Sequence, residues 1–146
     1  MVTEVNKSVE ANKTANRRFY EEVINQQKWA AFDEVIGTHY VSHGFPVQLS
    51  PDREGLKRSI RGVHTAFPDG HLTIDQMIVE ENTIATRLTF RGTQTGEFEG
   101  LAPTGKKFTV TTLDMTRYEG GKLVEQWGGL GHQCLLQQLG ITFSMK

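Results

Sequence analysis

Phe67-Pro68-Asp69-Gly70-His71-Leu72-Thr73-Ile74-Asp75-Gln76-Met77-Ile78-Val79 is the stretch in which the chain changes its period. Before it, Leu56, Ile60, Val63 and Phe67 recur every three or four residues, which lines one face of a helix. After it, side chains alternate with the period of a strand. Pro68-Asp69-Gly70 ends the helix in a turn, because proline cannot continue it and glycine permits the reversal.

Upstream, Ala15, Phe19, Val23 and Ile24 predict an amphipathic helix over Val9 to Gln27. Trp29 to Ile36 reads as a shorter helix stopped by Gly37. His39 to Pro46 reads as extended or looped. Ser50-Pro51-Asp52-Arg53-Glu54 starts a third helix with Ser50 as its N-cap. Downstream, strands are predicted at Leu72 to Val79, Ile84 to Arg91, Phe108 to Glu119 and Lys122 to Leu130. Glu81-Asn82 and Glu119-Gly120-Gly121 join them as hairpin turns. Gly92 to Lys107, which holds Gly92, Gly96, Gly100, Pro103 and Gly105, reads as a loop or bent strand pair. Helices first and strands afterwards predict an α+β fold, with N-terminal helices packed on a curved antiparallel sheet that encloses a pocket.

The 146 residues predict one domain over 1–146. A net charge of −1 argues against nucleic acid and anionic membrane as partners. The lone Cys134, read as buried, forms no internal disulfide and suits a reducing compartment. No window approaches the roughly 20 apolar residues of a membrane span, and the N-terminal stretch lacks an apolar leader, so the expected location is cytoplasmic.

Ala66-Phe67-Pro68-Asp69, Ala85-Thr86-Arg87, Gly92-Thr93-Gln94-Thr95-Gly96-Glu97-Phe98, Ala102-Pro103-Thr104-Gly105-Lys106, Gly121-Lys122-Leu123-Val124-Glu125-Gln126-Trp127 and Leu135-Leu136-Gln137-Gln138-Leu139-Gly140 together resemble the SnoaL-like polyketide cyclases. These belong to the nuclear-transport-factor-2-like cone superfamily, and the resemblance spans about 14–140. It implies a cone-shaped domain and aldol cyclisation of a flat polycyclic ester without metal or organic cofactor. It also implies an acid/base carboxylate four residues after the strand tryptophan. Counted from Trp127, that position is Gly131, which cannot transfer a proton and would leave the carboxylate's volume empty. Where the family often carries histidine, this chain has Gln94, which does not titrate.

Strict alternation in the last strand sets Leu123, Glu125, Trp127, Gly129 and Gly131 on one side, and Val124, Gln126, Gly128 and Leu130 on the other. Trp127 would then line a pocket with Phe19, His43 and Glu125. Glu125 is either a buried acid with a raised pKa or the partner of a cation such as Arg87. Arg87, mid-strand among apolar residues, either stabilises an enolate or forms a salt bridge. Asp114 is a further acid/base candidate whose face the pattern leaves open. His43 leads the histidines, because it sits where the chain would cross the cavity mouth, and His132 follows the vacated carboxylate position. His39 and His43 share an i,i+4 spacing that presents two metal ligands together only on a helix, so no metal is expected. His64 and His71 read as a helix-surface residue and a strand start.

The catalytic set is thus His43, Glu125, Asp114 and His132, and the substrate-binding set Phe19, Arg87, Gln94 and Trp127. No cofactor is expected. Three functions follow: a cofactor-independent acid/base cyclase, isomerase or hydrolase on a small apolar carbonyl or ring-bearing substrate, a non-catalytic pocket protein that has lost the family carboxylate, and an interaction module. A homodimer through the outer sheet face is expected, with Thr89, Arg91, Thr109 and Thr111 making that face moderately polar.

Overall fold

The computed structural model of the chain describes residues 4–43, 50–128 and 131–141. Among them the order is α1 (Glu4–Arg18), a π-helical turn (Phe19–Ile24), α2 (Trp29–Val35), β1 (Ile36–His43), α3 (Arg53–Ala66), β2 (His71–Glu80), β3 (Thr83–Thr93), β4 (Lys107–Glu119), β5 (Lys122–Trp127) and α4 (His132–Gln138). The fold is α+β. Its sheet has strand order β1-β5-β4-β3-β2, with β4 in the centre.

The hairpin turns join β2 to β3 and β4 to β5 as the sequence predicts, and β3 pairs antiparallel with β4. Both Gly120 and Gly121 have positive φ, the backbone that such a tight reversal needs. The sheet is nonetheless mixed, because β1 lies parallel to β5. Parallel neighbours need a long connection, and here α3 and three strands supply it. Gly37 is therefore no helix stop. Helix α2 ends at Val35, Ile36 is already extended, and Gly37 lies inside β1. A Cβ there would stand 3.1 Å from the Leu123 carbonyl oxygen and 3.2 Å from Val124 Cγ1, so small size is what the position requires. The remainder of the predicted extended segment, Gly44 to Pro46, lies outside the described residues, as do Gly129 and Leu130 of the predicted last strand.

In the first helical stretch, the Asn25 amide donates to the Tyr20 carbonyl at 3.0 Å, five residues back. That wider turn buries Phe19, Tyr20 and Val23 together, one residue more than the helical stripe foresaw. The Asn25 side chain then pairs with the backbone of Leu72 through two 2.9 Å hydrogen bonds, pinning the turn to β2. Helix α3 is capped by Asp52 rather than Ser50. Asp52 Oδ1 accepts from the Gly55 amide at 3.0 Å, and the Ser50 hydroxyl supports that carboxylate at 2.7 Å.

All helices pack on one face of the sheet, in two apolar clusters. The larger joins α1, the π turn, α2 and α3 to Ile84, Leu88, Tyr118 and Leu123. The smaller joins Phe67 and Phe98 to Phe108, Val110, Leu135 and Leu139. Asn16 is a polar node inside the larger. Its amide donates to Thr86 Oγ1 at 2.8 Å, and its carbonyl accepts from the Thr116 hydroxyl at 3.0 Å and the Tyr118 hydroxyl at 2.6 Å. Truncating Asn16 strands buried hydroxyls, each costing about 1–3 kcal/mol. Asn16→Ala is expected to lower stability by about 2–4 kcal/mol, read as a lower urea midpoint with an unchanged denaturant slope.

Candidate functional site

The inner face of β4 carries Phe108, Val110, Thr112, Asp114, Thr116 and Tyr118 in strict alternation. Phe108, Val110, Thr116 and Tyr118 are buried, whereas Thr112 and Asp114 keep partial access. The two half-open positions fall between the two apolar clusters, so Asp114 occupies the gap between them. This settles the face that the sequence left open: Asp114 points inward with Val110, Thr112 and Thr116.

Asp114 Oδ2 accepts from the Tyr20 hydroxyl at 3.1 Å and from the Gln126 amide at 3.3 Å. Gln126 Oε1 in turn accepts from the Tyr40 hydroxyl at 2.7 Å. Burial pushes the Asp114 carboxyl up to about 6, against the opposing pull of the two hydrogen bonds. Burial also pushes the Tyr20 and Tyr40 hydroxyls up, so both remain neutral donors near neutral pH. Gly128 makes the room: a Cβ there would lie 2.8 Å from Asp114 Oδ1. An acid titrating near 6 can both accept and return a proton near neutral pH.

The pocket expected around Trp127, Phe19, His43 and Glu125 does not form. Arg117 pairs with Glu125, but Tyr118 pairs with Leu123, so Val124 is an extra residue on β5. A bulge of one residue reverses the faces of every residue beyond it. Leu123 and Gln126 are buried on the inner side, while Glu125 and Trp127 stand on the outer side. Phe19 lies in the core on the opposite side of the sheet. Glu125 is not a buried acid. Its two oxygens take Arg117 Nε at 2.8 Å and His43 Nε2 at 2.9 Å, and these partners, Arg117 foremost, hold its carboxyl below the usual range. The partner is thus Arg117 and not Arg87, which is exposed and forms no ion pair with a described residue. The His43 ring stacks on Trp127, with centroids 5.1 Å apart and planes 16° from parallel. Beside this cluster an open groove of about 780 Å³ runs past His39, Val41, His43, Arg53, Arg117 and Glu125, and Asp114 does not line it.

Gln94 is fully buried, and its side chain is engaged entirely within its own loop. Its amide donates to the carbonyls of Gly96, Leu101 and Ala102 at 3.1–3.2 Å, and its oxygen accepts from the Thr104 amide and hydroxyl. It ties the Gly92 to Lys107 segment together as a loop and leaves no polar atom for a substrate. His132 opens α4, where its Nε2 lies 2.8 Å from Glu99 Oε2. Cys134 is exposed, correcting its expected burial. His64 is more than a surface residue, since its Nε2 contacts the Ile24 carbonyl at 2.5 Å. His39 and His43 lie on a strand, and among the described residues no group of three or more His, Cys, Asp or Glu is placed to hold a metal.

Gly131 is buried at the start of α4 rather than in a strand. A Cβ added there would come within 3.0 Å of Thr112 Cβ and 3.3 Å of the Thr111 carbonyl oxygen, so even the first carbon of a side chain would be tight. Gly131→Asp is expected to destabilise the protein by about 1–3 kcal/mol through overpacking, read as a lower thermal midpoint.

The raised pKa of Asp114 also has a signature in stability. The folded state holds this proton more tightly than the unfolded chain, so the stabilisation is complete below about pH 4 and is lost as pH rises through about 6. The span is at most about 3 kcal/mol. Asp69 and Asp52, held low by Thr93 and by Ser50 with Gly55, act in the opposite direction. The expected result is therefore a difference: wild type minus Asp114→Asn should lose stability between pH 4 and pH 6, as measured by urea unfolding across that range.

Helices gathered on one face of a bulged five-stranded sheet, over a desolvated acid, define a small α+β domain of the nuclear-transport-factor-2-like cone class. The pattern of the SnoaL-like polyketide cyclases matches residues 14–139, and the chain belongs to that family. It is similar to IdmH of Streptomyces antibioticus, a polyketide cyclase candidate, at 30% identity over 89% of this chain and 99% of that one, with a TM-score of 0.76. A polyketide cyclase candidate from Bacillus cereus shares the fold at 24% identity and a TM-score of 0.82, over 94% and 86% of the two chains. AclR of Streptomyces galilaeus, a hydroxylase candidate, shares it at 24% identity and a TM-score of 0.77, over 95% and 90%. No curated protein matches the sequence. Among the described residues no helix is long and apolar enough to cross a membrane.

Proposed function

We propose that the chain is a cofactor-independent acid/base catalyst in which Asp114 moves the proton, acting on a small, largely apolar substrate that carries carbonyl groups. The observation that carries this reading is the inward Asp114 carboxyl, desolvated to a pKa of about 6 and held by Tyr20 and Gln126 where the inner face of β4 is half-open. The outer cluster offers less. Glu125 is already ion-paired with Arg117 and bonded to His43, and both side chains are partly solvated, which weakens their electrostatic action.

In an aldol-type ring closure, the Asp114 carboxylate removes a proton from carbon next to a carbonyl. The resulting enolate carbon forms the new bond to a second carbonyl carbon, and Asp114 returns the proton to the oxygen that becomes the alcohol. Tyr20 and Gln126 are positioning residues, because they fix the carboxylate through hydrogen bonds and lower its pKa. The apolar clusters on either side exclude water from the proton transfer.

The test is turnover of a flat polyketide ester. Loss of a positioned acid or base costs about 10²–10⁴-fold in rate, so Asp114→Asn is expected to lose that much with its circular dichroism unchanged. The wild-type kcat/KM should fall as pH drops through about 6, where the base form disappears. Tyr20→Phe removes a hydrogen bond that lowers this pKa, so its acid limb should move to higher pH. His43→Ala, on the other face, should keep the wild-type rate. Full activity in Asp114→Asn would sink the assignment, and tight binding of the ester without turnover by the wild type would return the reading of a non-catalytic pocket protein.

A further inference from the structure

Strand β1 sends alternate side chains to the helix side, where Tyr40 and Ser42 are buried, whereas Val41 and His43 are exposed. Ser42 pairs with Gln126 on β5, and Gln126 pairs with Thr116 on β4, two residues from Asp114. Ser42 and Asp114 therefore share the inner face with β5 between them, and two strand spacings with a two-residue offset put their backbones about 12 Å apart. The hydroxyls buried among the described residues are those of Tyr20, Tyr40, Ser42, Thr86, Thr116 and Tyr118. All but Ser42 are used by the fold. Tyr20 donates to Asp114, Tyr40 to Gln126, Thr116 and Tyr118 to Asn16, and Thr86 accepts from Asn16. Ser42 Oγ has no hydrogen-bond partner among the described residues. Burial raises the pKa of Tyr40 and the nearby Ser42 hydroxyl offsets part of that rise, yet the Tyr40 proton is committed to Gln126 Oε1 at 2.7 Å. A buried hydroxyl without a partner has lost its hydration with nothing in exchange, and alanine would suit the same strand position without that cost.

We propose that the Ser42 hydroxyl is a substrate-binding group, donating to a carbonyl oxygen other than the one Asp114 protonates and so fixing which carbon of the substrate meets Asp114. This rests on the reading of the inner face as the site of reaction. A hydroxyl proton that no described group accepts calls for an acceptor, and on an apolar molecule bearing carbonyls that acceptor is a carbonyl oxygen. Gln126, which lies between the two residues, is committed at both ends, its oxygen to Tyr40 and its amide to Asp114. Because the Ser42 and Asp114 backbones stand about 12 Å apart, the oxygen held at Ser42 and the carbon that Asp114 deprotonates belong to different parts of the substrate. Ser42 thereby sets orientation and specificity, and Asp114 moves the proton.

The probes are fluorenone, a rigid apolar ketone, and fluorene, which keeps the ring frame without the oxygen. Titration calorimetry should show the wild type binding the ketone about 3–10-fold more tightly than the hydrocarbon, the yield of one neutral hydrogen bond. Ser42→Ala should bind both alike, and Asp114→Asn should keep the preference. The urea midpoint of Ser42→Ala should match or exceed that of the wild type, because a hydroxyl without a partner adds nothing to the fold. Three results would overturn the proposal: a wild type that does not bind fluorenone, a ketone preference that survives Ser42→Ala, or a lowered urea midpoint in that variant, which would mean that the hydroxyl serves the fold. None of these readouts needs turnover. A fully active Asp114→Asn therefore removes the catalytic reading without touching the Ser42 contact, and a Ser42→Ala that keeps the preference removes the contact alone.

Discussion

One extra residue in β5 governs which chemistry faces which way. At Val124 the strand bulges against β4, so that Arg117 meets Glu125 while Tyr118 meets Leu123. Without the bulge, alternation would carry Glu125 and Trp127 to the helix side together with Leu123. With it, Gln126 turns inward to hold Asp114, and Glu125 and Trp127 turn outward. Both the Gln126 contact to Asp114 and the outward stack of Trp127 with His43 depend on that single displacement, since a strand has only two faces.

The inner side is organised around the cost of burying charge. An ionised carboxylate in apolar surroundings is unfavourable unless it is hydrogen-bonded. Asp114 receives two hydrogen bonds and no cation, which leaves desolvation dominant and its pKa near 6. A neighbouring arginine would have pulled it down, as Arg117 does for Glu125 on the other face. The π-helical turn contributes directly, because its added residue buries Tyr20 beside Phe19, and the Tyr20 hydroxyl reaches Asp114. Local irregularities of helix and strand converge on one carboxyl.

The two faces of the sheet thus differ in kind. On the inner face, polar groups sit in pairs and nodes inside apolar clusters, as around Asn16, where each hydrogen bond gains from low dielectric and each loss is costly. On the outer face, the Arg117–Glu125 ion pair stays partly solvated. Family membership is compatible with this division of labour, because a shared fold leaves the chemistry to the residues placed on it. Relatives as similar in fold as a polyketide cyclase candidate and a hydroxylase candidate make the same point.

The sequence by itself determined helices α1 to α3, strands β2 to β5 and their order, but neither β1 as a strand nor α4. Helical spacing at Leu56, Ile60 and Phe67, the turn at Pro68-Asp69-Gly70, and alternation through β2, β3 and β4 are local properties, readable because the backbone repeats every few residues. The family motifs were legible for the same reason. Tertiary structure decided what depends on pairing between distant segments. That β1 runs parallel to β5, that Asp52 rather than Ser50 caps α3, and that Gln94 closes its own loop all follow from contacts that local pattern does not encode. Tyr20, Tyr40 and Gln126 were missed as site residues because they carry no motif and acquire their role only by meeting Asp114 across the fold. Above all, strict alternation assigned Glu125 and Trp127 to the wrong face. A bulge is a mismatch in length between two strands, and one strand's sequence holds no record of how its neighbour is paired.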